Sequence, residues 1–239
     1  AILFVDLYGQ TPDIDKIKAF AKEFDLKVIE DAAQSFGAEY NNKKVGSLVD
    51  LTCFSFNPVK NLGAMGDAGA VTGSKELVDK VRMYRDHGRR TKFEYETVGY
   101  NARIDNLQAV IVQAKLQKID QWLAKKRKIC QKYTEELKDV VITPKEAPWS
   151  LHTYYVYVIE VPNGTRDALQ TFLKDKGIAT NIHYKFPTHT TQAFEKHGQS
   201  LPRTEYVCDN ILSLPCYHSL PGHHRDYVIS SIKEFYEKH

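Results

Sequence analysis

The run from Ile2 to Asp31 constrains the fold more than any other part of the chain. Ile2 to Val5 is a short apolar run that reads as a buried strand. Asp13 to Phe24 then carries Ile14, Ile17, Phe20 and Ala21 at helical spacing, and Leu26 to Asp31 reads as a second strand. Strand, helix and strand in succession imply parallel pairing, because the helical crossover returns the chain to the same end of the sheet. Asp50 to Phe56 and Gly69 to Thr72 extend this pattern as further strands, with the polar, glycine-rich stretch Asn57 to Asp67 as a loop between them. Ser74 to Tyr84 follows as a helix, with Glu76 and Asp79 in the early turns where the helix dipole favours anions. The first half is therefore an α/β layer.

The texture then changes. Asp105 to about Leu137 repeats apolar residues at three and four, from Leu107, Val110 and Ile111 through Trp122 and Leu123 to Ile129, as one long helix or two meeting at a bend. Beyond it, Thr153 to Val161 reads as a strand, Arg166 to Asp175 as a helix, Ala179 to Tyr184 as a short strand, and Glu205 to Ile211 and Arg225 to Tyr236 as helices. This is a smaller α+β unit, so a boundary is expected near residue 125, giving domains 1–125 and 126–239. With 239 residues, of which 42% are hydrophobic, the chain can bury a core. A formal charge of +3 is too small to imply a nucleic-acid partner. Cys53, Cys130, Cys208 and Cys216 form no Cys-x-x-Cys pair, which argues against zinc and against a disulfide framework. No apolar run reaches the roughly 18 residues that suggest a membrane span, and no signal-type segment opens the chain. A soluble, cytoplasmic protein is expected, with no metal. The chain opens on Ala1 and goes directly into a strand, so it reads as cut from something longer.

Two features carry chemistry. Val28-Ile29-Glu30-Asp31-Ala32-Ala33-Gln34 is a strand that ends in acid, and in parallel α/β sheets ligand sites gather at the carboxyl ends of strands. A cap on the following turn would explain Asp31 as well. Phe54-Ser55-Phe56-Asn57-Pro58-Val59-Lys60-Asn61-Leu62-Gly63 places a lysine in a small-residue loop just past another strand, where a lone lysine would ordinarily be a solvated charge. The set is more informative than its members. A strand-end carboxylate, an amide at Gln34, a hydroxyl at Ser55, a lysine five residues on and glycine-rich backbone are the parts a pyridoxal phosphate site needs.

These blocks, with Gly63-Ala64-Met65-Gly66-Asp67, Gly99-Tyr100-Asn101-Ala102-Arg103-Ile104-Asp105, Ile182-His183-Tyr184 and Leu212-Ser213-Leu214-Pro215, resemble in order the signature of the DegT/DnrJ/EryC1/StrS aminotransferases. The resemblance implies a fold-type-I pyridoxal-phosphate transferase: a large-domain remnant plus a smaller C-terminal α+β domain. It also implies transamination of a nucleotide-diphosphate keto sugar, with Glu or Gln as donor and a homodimer as the working form. By the same resemblance Lys60 is the Schiff-base lysine and Asp31 the carboxylate that keeps the pyridine nitrogen protonated. Gln34 would lie beside the ring hydroxyl, Ser55 would bind the phosphate, and Asn101 would be lent to the neighbouring subunit's phosphate. Asn106 departs from the pattern, since many members carry Glu there. Members of the family also have a longer stretch ahead of the point where this chain begins, which supplies a phosphate-gripping turn and an aromatic residue stacked on the ring.

Three readings compete. The dehydratase branch of the family replaces the lysine with His, and Lys60 argues against it. A non-catalytic relative serving dimerisation or regulation would keep the fold alone. A dinucleotide-binding protein does not fit, because Gly63 to Gly69 lacks the Gly-x-Gly-x-x-Gly spacing at a first strand. His183 suits a substrate contact or a satisfied structural histidine equally. Arg89, Arg90 and Lys92 suit either a diphosphate or a solvated loop. The aromatic run Tyr154 to Tyr157 is expected to be core. Resemblance in Val5 to Gln10 and Gly99 to Asp105 leans towards amination at C3 of the sugar.

Overall fold

The computed structural model describes residues 1–194 and 198–238. Two compact units are present: Ala1–Ala124 together with Glu146–Tyr155, and Lys125–Lys145 together with the stretch from Val156 onward. The segment 146–155, read from sequence as part of the second domain, packs with the first.

The first unit holds β1 (Ile2–Val5), α1 (Ile14–Glu23), β2 (Val28–Asp31), β3 (Glu39–Tyr40), β4 (Lys43–Lys44), β5 (Leu51–Ser55), β6 (Gly69–Gly73), α2 (Lys75–Tyr84) and α3 (Asn106–Leu116). It also holds the start of α4 (Ile119–Leu137) and β7 (Ser150–Leu151). The main sheet runs β1-β2-β5-β6. Its first three strands are parallel, with Val5 opposite Asp31 and Asp31 opposite Cys53. β6 returns antiparallel, with Gly69 opposite Ser55. The carboxyl ends of β1, β2 and β5 therefore share one edge, and the loop from Ser55 to Gly69 hangs from it. Under that loop Leu62, Phe56, Ala64, Val112, Ile119 and Leu123 form a buried cluster. Leu62 is 1% exposed. Its burial stabilises the loop by about 1.5–3 kcal/mol.

The second unit contains the rest of α4, β8 (Tyr157–Glu160), α5 (Arg166–Asp175), α6 (Pro202–Asn210), β9 (Ile211–Leu214) and α7 (Gly222–Lys238). β8 and β9 pair antiparallel, Tyr157 opposite Leu214. Tyr133, Leu137, Tyr157, Leu173, Ile232 and Phe235 fill its interior.

The expected strand Thr153–Val161 shrinks to Tyr157–Glu160, because Tyr154 turns the backbone at φ 47° and Ser150–Leu151 pairs instead with β3. Ala179–Tyr184 reduces to a single bridge between Asn181 and Ser213. The helix read at Glu205–Ile211 starts earlier, at Pro202, and Ile211 begins β9, a strand the sequence reading did not contain. Its four residues are too few for periodicity to separate strand from helix. The β3–β4 hairpin also went unread, although Asn41 and Asn42 take the left-handed φ values of 48° and 63° that a tight primed turn requires. The long apolar repeat from 105 resolves into two helices broken at Gln117 and Lys118. Phe20, expected on the core face of α1, is 53% exposed and packs on Phe24 at 4.7 Å between ring centroids.

Candidate active site

Lys60 sits in a turn built by Asn57. The Asn57 carbonyl accepts from the Lys60 amide at 2.9 Å, and its side-chain oxygen accepts from the Val59 amide at 3.2 Å. The Asn57 side-chain amide donates to Asp67 Oδ1 at 2.7 Å, across the base of the loop. Ser55 Oγ accepts from the Asn57 amide at 3.3 Å, so hydroxyl and lysine belong to one folded turn at the end of β5. Phe56 closes the loop below, donating to Ala68 and accepting from Ala64, both at 2.7 Å. α3 holds it from the side: Lys115 Nζ donates to the Gly63 carbonyl at 2.5 Å and Gln108 Oε1 accepts from the Met65 amide at 2.8 Å. Gly63 passes so close to the loop's start that a Cβ there would lie 2.6 Å from the Pro58 oxygen. Backbone approach of this kind selects glycine.

A second set of contacts fixes what lies against the lysine. Gln34 Oε1 accepts from the Tyr8 amide at 2.7 Å. The turn at Tyr8 and Gly9 then accepts from the amides of Tyr155 and Thr153 at 2.8 and 2.9 Å. Gly9 has φ 102°, and a Cβ on it would stand 3.1 Å from both the Gln34 carbonyl and the Tyr155 amide. This chain of bonds presents the Tyr155 ring to the Lys60 ammonium, 4.5 Å from the ring centroid. Tyr155 was expected in the core, and the structure instead gives it to the site. Its signal was masked by the neighbouring Tyr154 and Tyr157, which are buried.

Burial lowers the Lys60 pKa from the ordinary lysine value, and the charge of Asp31 opposes that shift. A lowered pKa leaves more of the amine neutral and nucleophilic. Asp31 ends β2, and its Oδ1 accepts from the Ala33 amide at 3.0 Å, so it caps its turn and also faces the lysine's field. Beside it lies a pair that the sequence reading missed. Asp6 and Glu30 are both 0% exposed, bonded to Ser35 Oγ at 2.6 Å and Thr52 Oγ1 at 2.8 Å respectively. Each keeps a second buried oxygen with no donor among the described residues. Burial, then the Glu30 charge, pushes the Asp6 carboxyl up to about 8. The signal was present as two apolar strands each ending in acid.

Asp31, Ser55 and Lys60 thus come together at one sheet edge, with Gln34 bracing it through Tyr8. The other expected residues lie elsewhere. Asn101 pairs with Asp86 in the segment that follows α2. In the same segment Arg89 donates to Asp86 at 2.7 Å and Arg90 pairs with Glu96, while the Lys92 ammonium lies 5.3 Å from the Phe93 centroid. Two of the three cations are therefore already matched by carboxylates, because acids flank the basic run on both sides, Asp86 before it and Glu96 after it. His183 belongs to the second unit, where Nδ1 meets Ser213 Oγ at 2.8 Å and burial lowers its pKa. Among the described residues no group of three or more His, Cys, Asp or Glu is placed to hold a metal ion. No helix among them is long and apolar enough to cross a membrane.

An amine of lowered pKa, a strand-end carboxylate and a hydroxyl-bearing turn lie at the carboxyl ends of the sheet's parallel strands, and these are the kinds of group that imine chemistry calls for. The model of the DegT/DnrJ/EryC1/StrS aminotransferase family matches residues 1–233, and the chain belongs to that family. It is 43% identical, over 99% of its length, to a pleiotropic regulatory protein of Geobacillus stearothermophilus, of which it covers 65%. It is 34% identical, over its full length, to the dTDP-3-amino-3,4,6-trideoxy-alpha-D-glucose transaminase of Streptomyces venezuelae, of which it covers 64%. A DegT DnrJ EryC1 StrS aminotransferase from Brucella abortus superposes with a TM-score of 0.93 at 35% identity, over 98% of this chain and 64% of that one. The fold is that of the fold-type-I pyridoxal-phosphate enzymes, with mixed α/β content. The chain spans about two thirds of the length of the relatives it matches.

Proposed function

We propose that the protein is a pyridoxal-phosphate-dependent aminotransferase of nucleotide-diphosphate keto sugars, with Lys60 as the covalent anchor of the cofactor. The half-buried Lys60 amine, set over Tyr155 in the field of Asp31, is the observation that carries this reading. The residues fit the group. Lys60 suits its aldehyde, Asp31 a protonated ring nitrogen, Gln34 the ring hydroxyl, and Ser55 with the amides of its turn part of the phosphate. When bound, pyridoxal phosphate supplies an electron sink that stabilises negative charge on the amine-bearing carbon. The protein's part would be to set the Asp31 carboxylate against the ring nitrogen and to hold the Lys60 amine where it could carry a proton to or from that carbon.

The relative from Streptomyces venezuelae bears a name that specifies a 3-amino sugar, which supports amination at C3 here. Glu or Gln is the donor that this reading carries, and the cytoplasm is the compartment where nucleotide sugars and the donor meet. A homodimer completes the site. Asn101 lies in an exposed apolar stretch that includes Phe93, Val98, Tyr100 and Leu107, with Val98 89% exposed. Such a surface suits a second copy that receives Asn101 at its phosphate. His183 would contact the sugar. Lys92 is the more available of the three cations for the diphosphate, since Arg89 and Arg90 are matched within their loop.

The test is a pair of half-reactions. The cofactor-loaded protein should convert to the amine form with Glu or Gln, and then pass the amine to a nucleotide-linked 3-keto sugar, read as product mass. Transfer to simple keto acids with none to the sugar would overturn the substrate class. A protein that binds no cofactor would favour the non-catalytic reading.

A further inference from the structure

Cys130 and Cys216 are 86 residues apart in sequence, yet their sulfurs stand 3.1 Å from one another in the second unit. None of the four cysteines is in a disulfide; Cys130 is buried, and Cys216 is partly open to solvent. Lys126 is one helical turn before Cys130 on α4, which puts both on the same face. Its side chain is buried, and its charge bears on both sulfurs. Burial raises the Cys216 thiol, but the hydrogen bond shared with Cys130 and the Lys126 charge outweigh it and leave the Cys216 pKa lowered. Cys130 is shifted the other way, first by burial and then by its bond to Cys216. Arg127 also faces Cys130, and Tyr133, whose hydroxyl donates to the Pro215 carbonyl at 3.0 Å, faces both thiols.

The division of labour is that of an attacking and a resolving thiol: one sulfur partly open to solvent, its pKa lowered beside a cation, the other buried, its pKa raised, and in contact. We propose that Cys130 and Cys216 form a dithiol modification site that a small peroxide oxidises to a disulfide. The Cys216 thiolate attacks one oxygen of the peroxide. The O–O bond breaks, hydroxide leaves, and Cys216 becomes a sulfenic acid. Cys130 sulfur then attacks Cys216 sulfur; the S–O bond breaks, and the departing hydroxide takes the Cys130 proton as water. Two thiols are oxidised to one disulfide, and hydrogen peroxide is reduced to two waters. The new bond would tie α4 to the segment behind β9. That segment begins just after Ser213, whose hydroxyl meets His183.

The experiment treats the native chain with stoichiometric hydrogen peroxide, alkylates the remaining thiols after unfolding, and maps the peptides by mass spectrometry. A Cys130–Cys216 cross-linked peptide is expected, lighter than its parts by two hydrogens, with Cys53 and Cys208 alkylated. In Cys130→Ser a sulfenic acid should persist on Cys216 and react with dimedone, and Lys126→Met should slow cross-linking several-fold. Peroxide-treated protein in which Cys130 and Cys216 are both alkylated would overturn the proposal. So would a cross-link through Cys53 or Cys208 in their place, or an unchanged rate in Lys126→Met.

Discussion

Replacing Asp6 with Asn should make the chain more stable than the parent at alkaline pH and should erase part of its pH dependence. Asp6 and Glu30 meet in a site with no exposure, each with an oxygen that lacks a donor among the described residues, and burial raises both carboxyls, so the folded chain keeps a proton between them. The Asp6 carboxyl is held at about 8 when folded, against 3.8 for an ordinary aspartate. Between those values the unfolded chain binds fewer protons than the folded one. Stability from this group is therefore complete below the unfolded pKa and is lost as pH rises towards 8. The loss is about 1.4 kcal/mol per pH unit, or about 4 kcal/mol between pH 5 and pH 8. The introduced amide carries no ionisation and can donate to Glu30. The stability difference between variant and parent should grow by that amount across the interval. Urea unfolding followed by tryptophan fluorescence is a suitable assay, because the chain has two tryptophans and both, Trp122 and Trp149, lie in the unit that contains Asp6. Parallel stability curves for parent and variant from pH 5 to pH 8 would refute the shared proton.

Asp31→Asn should lower sugar transamination by roughly 10²–10³-fold, the cost of removing one preorganised charge from a site, as steady-state turnover would show. Gly63→Ala should destabilise the lysine loop by about 1–3 kcal/mol, since the added Cβ meets the Pro58 carbonyl, and cofactor retention on gel filtration should fall with it. Mixed dimers of Lys60→Ala with Asn101→Ala subunits should recover part of the activity that each loses alone. No recovery in demonstrably mixed dimers would mean that Asn101 serves its own chain.

The parts of this fold that sequence made legible are those in which one physical signal acts alone. The parallel core of β1, α1 and β2 follows from period and apolar runs, and the same strand readings place Asp31 and Ser55 at strand ends and Lys60 in the loop after one. The parts it hid are set by contacts far along the chain. Tyr155 looked like core because its neighbours are, and only the bonds from Tyr8 and Gly9 turn it to the lysine. The acidity of Asp6 is invisible in Val5-Asp6-Leu7 until parallel pairing brings Glu30 against it. Arg89 and Arg90 formed a basic patch in sequence, and the fold returns Asp86 and Glu96 to neutralise it. β9 could not be told from a helix end until β8 supplied its partner.

The central claim is that Lys60 is the residue that holds the cofactor. Loading the protein with pyridoxal phosphate, reducing with borohydride and mapping the labelled peptide tests it directly. A single pyridoxyl group is expected on Lys60, within the stretch from Phe54 to Gly63, and none in Lys60→Ala. Label on another lysine, or label undiminished in Lys60→Ala, would contradict it.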